Sequence, residues 1–206
     1  LSPKILQFIP LHPNANGSNL LQLRYIMRAY VFDVDGVLTI PEKLFSHVYV
    51  DRHGLSLEPF KRFFKDQFPD ALIGQADLAE LIANNPDVWK YGTPEAIMKD
   101  WFDGENLQNT QAVNVVKELR RRGKKCYLAT NQDKHRGNYM KILMFPGLCD
   151  AYFVSGEIGF TKPNAKFFES VINGINRDIP GIRPEEIIFF DDTSENVDSA
   201  RQVGIN

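Results

Sequence analysis

Cysteine is scarce in this sequence of 206 residues, which contains only Cys126 and Cys149. Two cysteines are too few for a disulfide framework of the kind that stabilises small secreted domains, so we expect a cytoplasmic protein with reduced thiols. Cys126 lies within an apolar run, which favours a packed core thiol over a catalytic nucleophile.

Long hydrophobic runs are also missing. No window is apolar for long enough to span a bilayer, and residues 1–26 are interrupted by proline, lysine and histidine where a secretory signal would be continuous. We therefore expect a soluble protein with no membrane partner. The sequence leaves open whether residues 1–26 are a linker, a cloning remnant or a native extension of the chain.

An excess of either charge is absent as well, with 24 lysines and arginines against 26 aspartates and glutamates. The basic residues are scattered apart from the short run 120–125, which is typical of the solvated end of a helix. This distribution argues against a broad nucleic-acid footprint. We expect a small-molecule substrate, no nucleic-acid partner, and a monomer or weak homodimer.

Four short apolar runs, rich in β-branched or aromatic residues, predict buried parallel strands. In chain order these runs are AYVF ending at Phe32, KCYLA ending at Ala129, AYFV ending at Val154 and EIIFF ending at Phe190. Helical patterns separate them: residues 110–122 follow a cap at Asn109 or Thr110, one later helix has Pro163 in its first turn, and another begins near Ser194. This alternation indicates an α/β fold with a doubly wound, mostly parallel, Rossmann-like sheet.

The interval 41–108 departs from this alternation, because it contains helical patterns at 56–68, 77–83 and 93–102 and no strand-like run. We interpret it as a small α-helical domain inserted after the first strand, between core segments 27–40 and 109–206. Its many aromatic residues fit the core of such a domain better than a ligand pocket.

Two carboxylates, Asp33 and Asp35, follow the first predicted strand and are two residues apart, so both can face one cavity where the chain leaves the sheet. Gly36 then allows a sharp turn and a close approach of the backbone to a ligand. Asp191 and Asp192 follow the last predicted strand, at the same edge of the sheet. Carboxylates gathered in this way need a cation or a proton, and Mg²⁺ prefers such oxygen ligands.

The other residues that follow the predicted strands suit a phosphate group. Thr130 offers a hydroxyl, and Asn131 offers a backbone N–H at the start of the helical stretch that follows. Lys162 adds a positive charge. A metal, a lysine, a hydroxyl and an amide together would stabilise a transferring phosphoryl group, with a carboxylate available to attack it.

The sequence resembles the haloacid dehalogenase (HAD) superfamily, in particular its magnesium-dependent phosphatases with a helical domain inserted after the first motif. The resemblance covers residues 30–206 and rests on four motifs in the right order, each after a predicted strand. The motifs are DVDGVLT, LATNQ, GFTKPNAKFF and IIFFDDTSENVDSARQVG.

The resemblance implies that Asp33 is the nucleophile and that Asp35 is the general acid and base, with its backbone carbonyl on the metal. It implies Thr130 and Lys162 as phosphate ligands, and Asp33, Asp35 and Asp192 as the metal site. Asp191 stands where many members have glycine, so its share in metal binding stays open.

The implied function is Mg²⁺-dependent hydrolysis of small phosphate monoesters, with sugar phosphates first by analogy with similar phosphatases. A phosphomutase on the same scaffold would keep every core residue, whereas a dehalogenase would leave Asp35 and Asp192 unexplained. A non-catalytic ligand-binding protein of this fold is the third alternative, and the intact set Asp33, Asp35, Lys162 and Asp192 argues against it.

Overall fold

A parallel sheet of four strands forms the centre of the computed structural model, which describes residues 27–206. The strands are β1 (Ala29–Phe32), β2 (Lys125–Thr130), β3 (Ala151–Val154) and β4 (Ile187–Phe190). Their order across the sheet is β3-β2-β1-β4, so β1 lies between β2 and β4 and pairs in parallel with both. The predicted α/β fold is confirmed. The question about residues 1–26 lies outside the described residues.

Five helices follow β1 and make up the insertion, for which the sequence predicts the bounds 41–108. They are α1 (Phe45–His53), α2 (Glu58–Asp66), α3 (Phe68–Leu72), α4 (Leu78–Ala83) and α5 (Pro94–Gly104). The helix predicted over 56–68 is confirmed as α2, which ends at Asp66. Pro69 lies in the first turn of α3, and its missing N–H prevents α2 and α3 from forming one continuous helix. Helix α1 was not predicted, and its first residue follows Leu44, which provides no side-chain cap.

The core helices flank the sheet, and most begin where the capping residues indicate. They are α6 (Thr110–Arg121), α7 (Lys134–Tyr139), α8 (Ser155–Ile158), α9 (Ala165–Asp178) and α10 (Ser194–Gln202), and α7 continues into a π-helical turn, Met140–Met144. Asn109 caps α6 through its side chain, as expected. The placement of Pro163 inside a helix is wrong: the Lys162–Pro163 peptide bond is cis, and α9 begins only after Asn164, whose side chain caps it.

Both faces of the sheet are buried, which explains why its strands are continuously apolar. Tyr30, Phe32, Cys126 and Leu128 point into one hydrophobic cluster, which also contains residues of α6. Their neighbours along the strands, Ala29, Val31, Tyr127 and Ala129, point into the other cluster with residues of α9 and α10. Two hydrophobic layers therefore hold the sheet and position its carboxyl edge.

The insertion has its own core, made largely of aromatic rings, in agreement with the sequence-based interpretation. Trp89 lies near its centre, 4.8 Å from Phe60, 5.4 Å from Phe63 and 6.1 Å from Trp101 between ring centroids. Offset and edge-to-face aromatic pairs add to the stabilisation that comes from burial alone. A separate core of this kind lets the insertion hold its shape while it rests on the sheet domain.

Two further expectations concern the cysteines and the membrane. Cys126 and Cys149 are both buried and free, and burial raises the pKa of the Cys126 thiol to about 12. A thiol with so high a pKa is a poor nucleophile, which fits the expected structural role. Within residues 27–206, every helix is too short or too polar to cross a membrane.

Candidate active site

The carboxyl ends of the parallel strands bring the sequence-predicted residues to one edge of the sheet. Asp33 follows β1, and its backbone N–H donates to the Phe190 carbonyl of β4 over 2.9 Å. Asp191 follows β4 directly, while Thr130 is the last residue of β2 and is buried. The crevice beyond this edge is where open α/β sheets usually bind their ligands.

The turn after β1 is tight and needs glycine. The Gly36 N–H donates to the Thr39 carbonyl over 2.8 Å, and Leu38 and Thr39 both donate to the Val34 carbonyl. Gly36 has a φ of +78°, and a Cβ atom there would overlap the Asp192 carboxylate. Glycine therefore lets the β1 turn pass directly against Asp192, which belongs to a distant part of the sequence.

Lys162 supplies a positive charge between two of the carboxylates. Its Nζ lies 2.8 Å from Asp33 Oδ1 and donates to Asp191 Oδ2 over 2.6 Å. The Lys162 side chain is only 1% exposed, and it also faces the Phe189 ring at 5.4 Å from the centroid. Buried charges of opposite sign at this distance compensate each other's loss of hydration.

The Asp33 carboxyl is nevertheless hard to ionise. Its pKa is raised to about 7, because burial disfavours the charged form and the neighbouring Asp191 charge adds to that effect. Lys162 acts in the opposite direction through its charge and its hydrogen bond. One lysine thus offsets only part of the free energy that is needed to keep two carboxylates ionised in a buried site.

Three carboxylates meet closely enough to share a cation. Asp33, Asp191 and Asp192 each offer an oxygen atom within 4.8 Å of the others. The side chain of Asp191, whose role the sequence left open, is fully buried and accepts hydrogen bonds from the Asn196 side chain and the Thr193 N–H. Hard oxygen donors of this kind, with Asp192 still open to solvent, fit a divalent cation such as Mg²⁺.

The Asp35 carboxylate lies outside this group of three. It accepts hydrogen bonds from Gln132 Nε2 over 2.5 Å and from Thr39 Oγ1 over 3.0 Å, and it is 51% exposed. The sequence-based reasoning missed Gln132, although it lies only two residues after Thr130 in the second motif. Asp35 therefore faces the crevice with its orientation fixed by two donors.

Asn131 has a different setting from the one expected. The helix after β2 begins at Lys134, and the Asp133 side chain caps it by accepting from the N–H groups of His135 and Arg136. The expectation that Asn131 stands at the N-terminus of that helix is wrong, because the Asp133 cap starts the helix three residues later. Instead, Asn131 binds the Lys162 backbone twice, accepting from its N–H over 2.8 Å and donating to its carbonyl over 3.0 Å.

Helix α7 is one part of the core on which the insertion rests. His135 Nε2 lies 2.8 Å from Asp77 Oδ2, at the start of α4, and the Tyr139 hydroxyl donates to Asp103 over 2.7 Å, near the end of α5. The Tyr139 ring also packs on Phe102, with centroids 5.5 Å apart. These contacts place the insertion beside the crevice that Asp35 faces.

Comparison with known proteins gives one match to a family and several to folds. The model of a family described as haloacid dehalogenase-like hydrolase matches residues 27–204. A HAD family enzyme from Bacteroides thetaiotaomicron, in complex with magnesium and inorganic phosphate, has a TM-score of 0.69 at 20% identity, covering 87% of this chain and 92% of that chain. A protein from Porphyromonas gingivalis described as a predicted HAD-like family hydrolase gives 0.69 at 19% identity, covering 88% and 89%.

A curated relative matches over a much shorter stretch. Drimenol cyclase from Aspergillus calidoustus is 38% identical over 58 residues, which are 28% of this chain and 10% of that protein. The chain therefore spans about a tenth of the length of this curated relative. The two solved structures, at identities of 19 and 20%, show a shared fold.

Proposed function

Because the chain belongs to the haloacid dehalogenase-like hydrolases, we propose that it is a Mg²⁺-dependent phosphatase that acts through an aspartyl-phosphate on Asp33. The observation that carries this proposal is the buried contact of Asp33 with Lys162, beside two further carboxylates. A carboxylate held in this way is an oriented nucleophile at the edge of a crevice. The binding of magnesium and inorganic phosphate by the relative from Bacteroides thetaiotaomicron supports the same chemistry.

In the first step, an Asp33 oxygen attacks the phosphorus atom of a phosphate monoester, and the bond to the leaving oxygen breaks. The leaving oxygen takes its proton from the Asp35 carboxyl, which Gln132 and Thr39 hold toward the crevice. We assign the binding of the phosphoryl oxygens to Thr130, the last residue of β2, and to Lys162, whose Nζ lies 2.8 Å from Asp33 Oδ1.

In the second step, a water molecule attacks the phosphorus atom of the aspartyl-phosphate and gives a proton to the Asp35 carboxylate. The bond between the phosphorus and the Asp33 oxygen then breaks, which restores the enzyme and releases inorganic phosphate. Asp33, Asp191 and Asp192 would hold the Mg²⁺ ion, which when bound supplies positive charge for the ionised Asp33 and the phosphoryl oxygens.

The insertion, residues 41–108, would select the substrate. It rests on α7 beside the crevice, which favours a compact substrate over a folded phosphoprotein or a long nucleic acid. We propose a small phosphorylated metabolite, with sugar phosphates first by analogy with similar phosphatases. A dehalogenase is less well supported, because hydrolysis at carbon through Asp33 leaves the three-carboxylate group without a role.

The test is phosphate release from a panel of sugar phosphates and 4-nitrophenyl phosphate, with Mg²⁺ and with excess chelator. We expect release with Mg²⁺ only, and loss of the covalent intermediate in Asp33→Asn, whereas Asp35→Asn should keep the intermediate and hydrolyse it slowly. Asp198→Asn, an exposed aspartate of α10, is the matched control and should keep full activity. Full turnover in chelator, or phosphate on another residue, would contradict the proposal.

A further inference from the structure

Arg136 of α7 is a charged residue whose burial the proposed chemistry leaves unexplained. Its side chain is 2% exposed, and neither Nη1 nor Nη2 has a hydrogen-bond partner among the described residues. A buried guanidinium needs nearby negative charge to offset its loss of hydration. The groups around Arg136 therefore indicate its purpose.

Two carboxylates from different parts of the chain lie within 4 Å of one nitrogen atom of this guanidinium. Arg136 Nη2 is 3.8 Å from Asp35 Oδ1 and 3.7 Å from Glu105 Oε2. The guanidinium carbon also lies 5.4 Å from the centroid of Phe102, a ring of α5. Arg136 thus connects the general acid of the proposed reaction with the end of the insertion.

Glu105 in turn connects the two segments through which the chain enters and leaves the insertion. Its Oε1 accepts from the Phe45 N–H at the start of α1 over 2.7 Å, and its Oε2 accepts from Trp101 Nε1 of α5 over 2.9 Å. The Glu105 side chain is mostly buried, so its charge is poorly screened by water. A displacement of the insertion relative to the core would therefore move Glu105, and with it a partner of Arg136.

We propose that Arg136 is a positioning residue, which links the orientation of the Asp35 carboxyl group to the seating of the insertion through Glu105. This inference rests on the proposed function, since it assigns Asp35 the role of proton donor. In the seated arrangement Arg136 attracts Asp35 from the protein side, while Gln132 and Thr39 direct the carboxyl group by hydrogen bonds. When the insertion moves away, Arg136 loses Glu105 and is free to shift, so that only Gln132 and Thr39 then set the direction of the Asp35 carboxyl group.

The activity test compares two esters that differ in their need for a proton. The leaving group of 4-nitrophenyl phosphate departs without a proton, whereas that of an alkyl phosphate requires one from Asp35. Arg136→Met should lower kcat/KM for the alkyl phosphate about tenfold or more and for the nitrophenyl ester no more than about threefold. Arg136→Lys, which keeps the charge, should retain most of the native kcat/KM for the alkyl phosphate.

Arg120→Met is the matched control, because Arg120 is a partly buried core arginine whose Nη2 lies 3.6 Å from Asp150 Oδ1, near the start of β2 and so at the edge of the sheet opposite Thr130. It should leave the ratio of the two kcat/KM values unchanged. An equal loss on both esters in Arg136→Met would overturn the proposal, because a purely structural role lowers both alike. When Asp35 is already replaced by asparagine, the further change Arg136→Met should alter kcat/KM for the alkyl phosphate less than about twofold. A further loss as large as in the native background would also overturn the proposal.

A second measurement does not depend on activity. Hydrogen exchange of the Phe45 amide, which Glu105 holds, should become about tenfold faster in Arg136→Met than in the native protein. Unchanged exchange would refute the link to the insertion. If the native protein hydrolysed neither ester, the proposed function and the role assigned to Asp35 would both fail. The hydrogen exchange of the Phe45 amide would still decide whether Arg136 holds the insertion against the core. If Arg136→Met did not fold, Arg136→Gln, which also removes the charge but keeps a polar head group, would carry both tests with the same expected changes.

Discussion

Replacing Lys162 by methionine should leave two buried carboxylates without their shared counter-charge. Lys162 Nζ contacts Asp33 Oδ1 at 2.8 Å and Asp191 Oδ2 at 2.6 Å, and the side chain of Asp191 is fully buried. Methionine fills nearly the same space, so the change removes the charge and leaves the packing against Phe189 largely intact. The perturbation is therefore electrostatic.

Removing one partner of a buried ion pair costs about 3–5 kcal/mol of the free energy of unfolding. For a chain of this size that corresponds to a fall in Tm of roughly 6–20 °C. The cost should depend on pH. The pKa of Asp33 is raised in the folded state from 3.8 to about 7, so its contribution to stability is complete below pH 3.8 and is lost as the pH rises through about 7.

Without Lys162 the pKa of Asp33 rises further, because the charge that opposes the shift is gone. The loss of stability in Lys162→Met then continues to higher pH. The difference in the free energy of unfolding between the native protein and Lys162→Met should therefore be larger at pH 8 than at pH 5. Urea unfolding in excess chelator, so that no metal replaces the lysine charge, measures this difference. The exposed Lys166, which stacks on Phe160, provides the control Lys166→Met. Equal costs for both variants, or a Lys162→Met cost independent of pH, would refute the reasoning.

Two further changes test the geometry of the site. In Gly36→Ala, the alanine would have to adopt a left-handed backbone conformation, and its Cβ atom would overlap the Asp192 carboxylate. The affinity for Mg²⁺ should therefore fall about 10–100-fold in a Mg²⁺ titration of phosphate release. An unchanged midpoint of this titration would contradict the close approach of Gly36 to Asp192. Asn131→Ala removes both hydrogen bonds to the Lys162 backbone. It should lower the free energy of unfolding in urea by about 1–2 kcal/mol and should also lower kcat/KM. If neither quantity changed, this contact would not be what holds Lys162 in place.

The strands and the residues that follow them could be predicted from the sequence, because both depend on local patterns. A buried parallel strand is a short apolar run, and its carboxyl end is the place for functional residues whatever the rest of the chain does. Asp33 and Asp191 were located in this way, at the ends of β1 and β4. Capping residues likewise predicted where α6 begins, since a cap acts on the N–H groups next to it.

The partners of these residues were decided by the tertiary structure. Lys162 was expected as a phosphate ligand, but its burial between Asp33 and Asp191 depends on where β4 lies relative to β1. Gln132 and Arg136 gave no signal, since one is an ordinary polar residue and the other looks like part of a solvated helix. Their importance comes from contacts with Asp35 and the insertion, many residues away in the sequence.

The sequence by itself thus determined the chemistry that is available at the sheet edge, because apolar periodicity and strand ends are properties of short segments. Only the tertiary structure decided which charges compensate one another, because a charge is stabilised by the groups around it in space and their identity depends on the packing of distant segments. Arg136 is the clearest case: its residue type is common on helix surfaces, and its burial beside Asp35 and Glu105 follows from the docking of the insertion on α7.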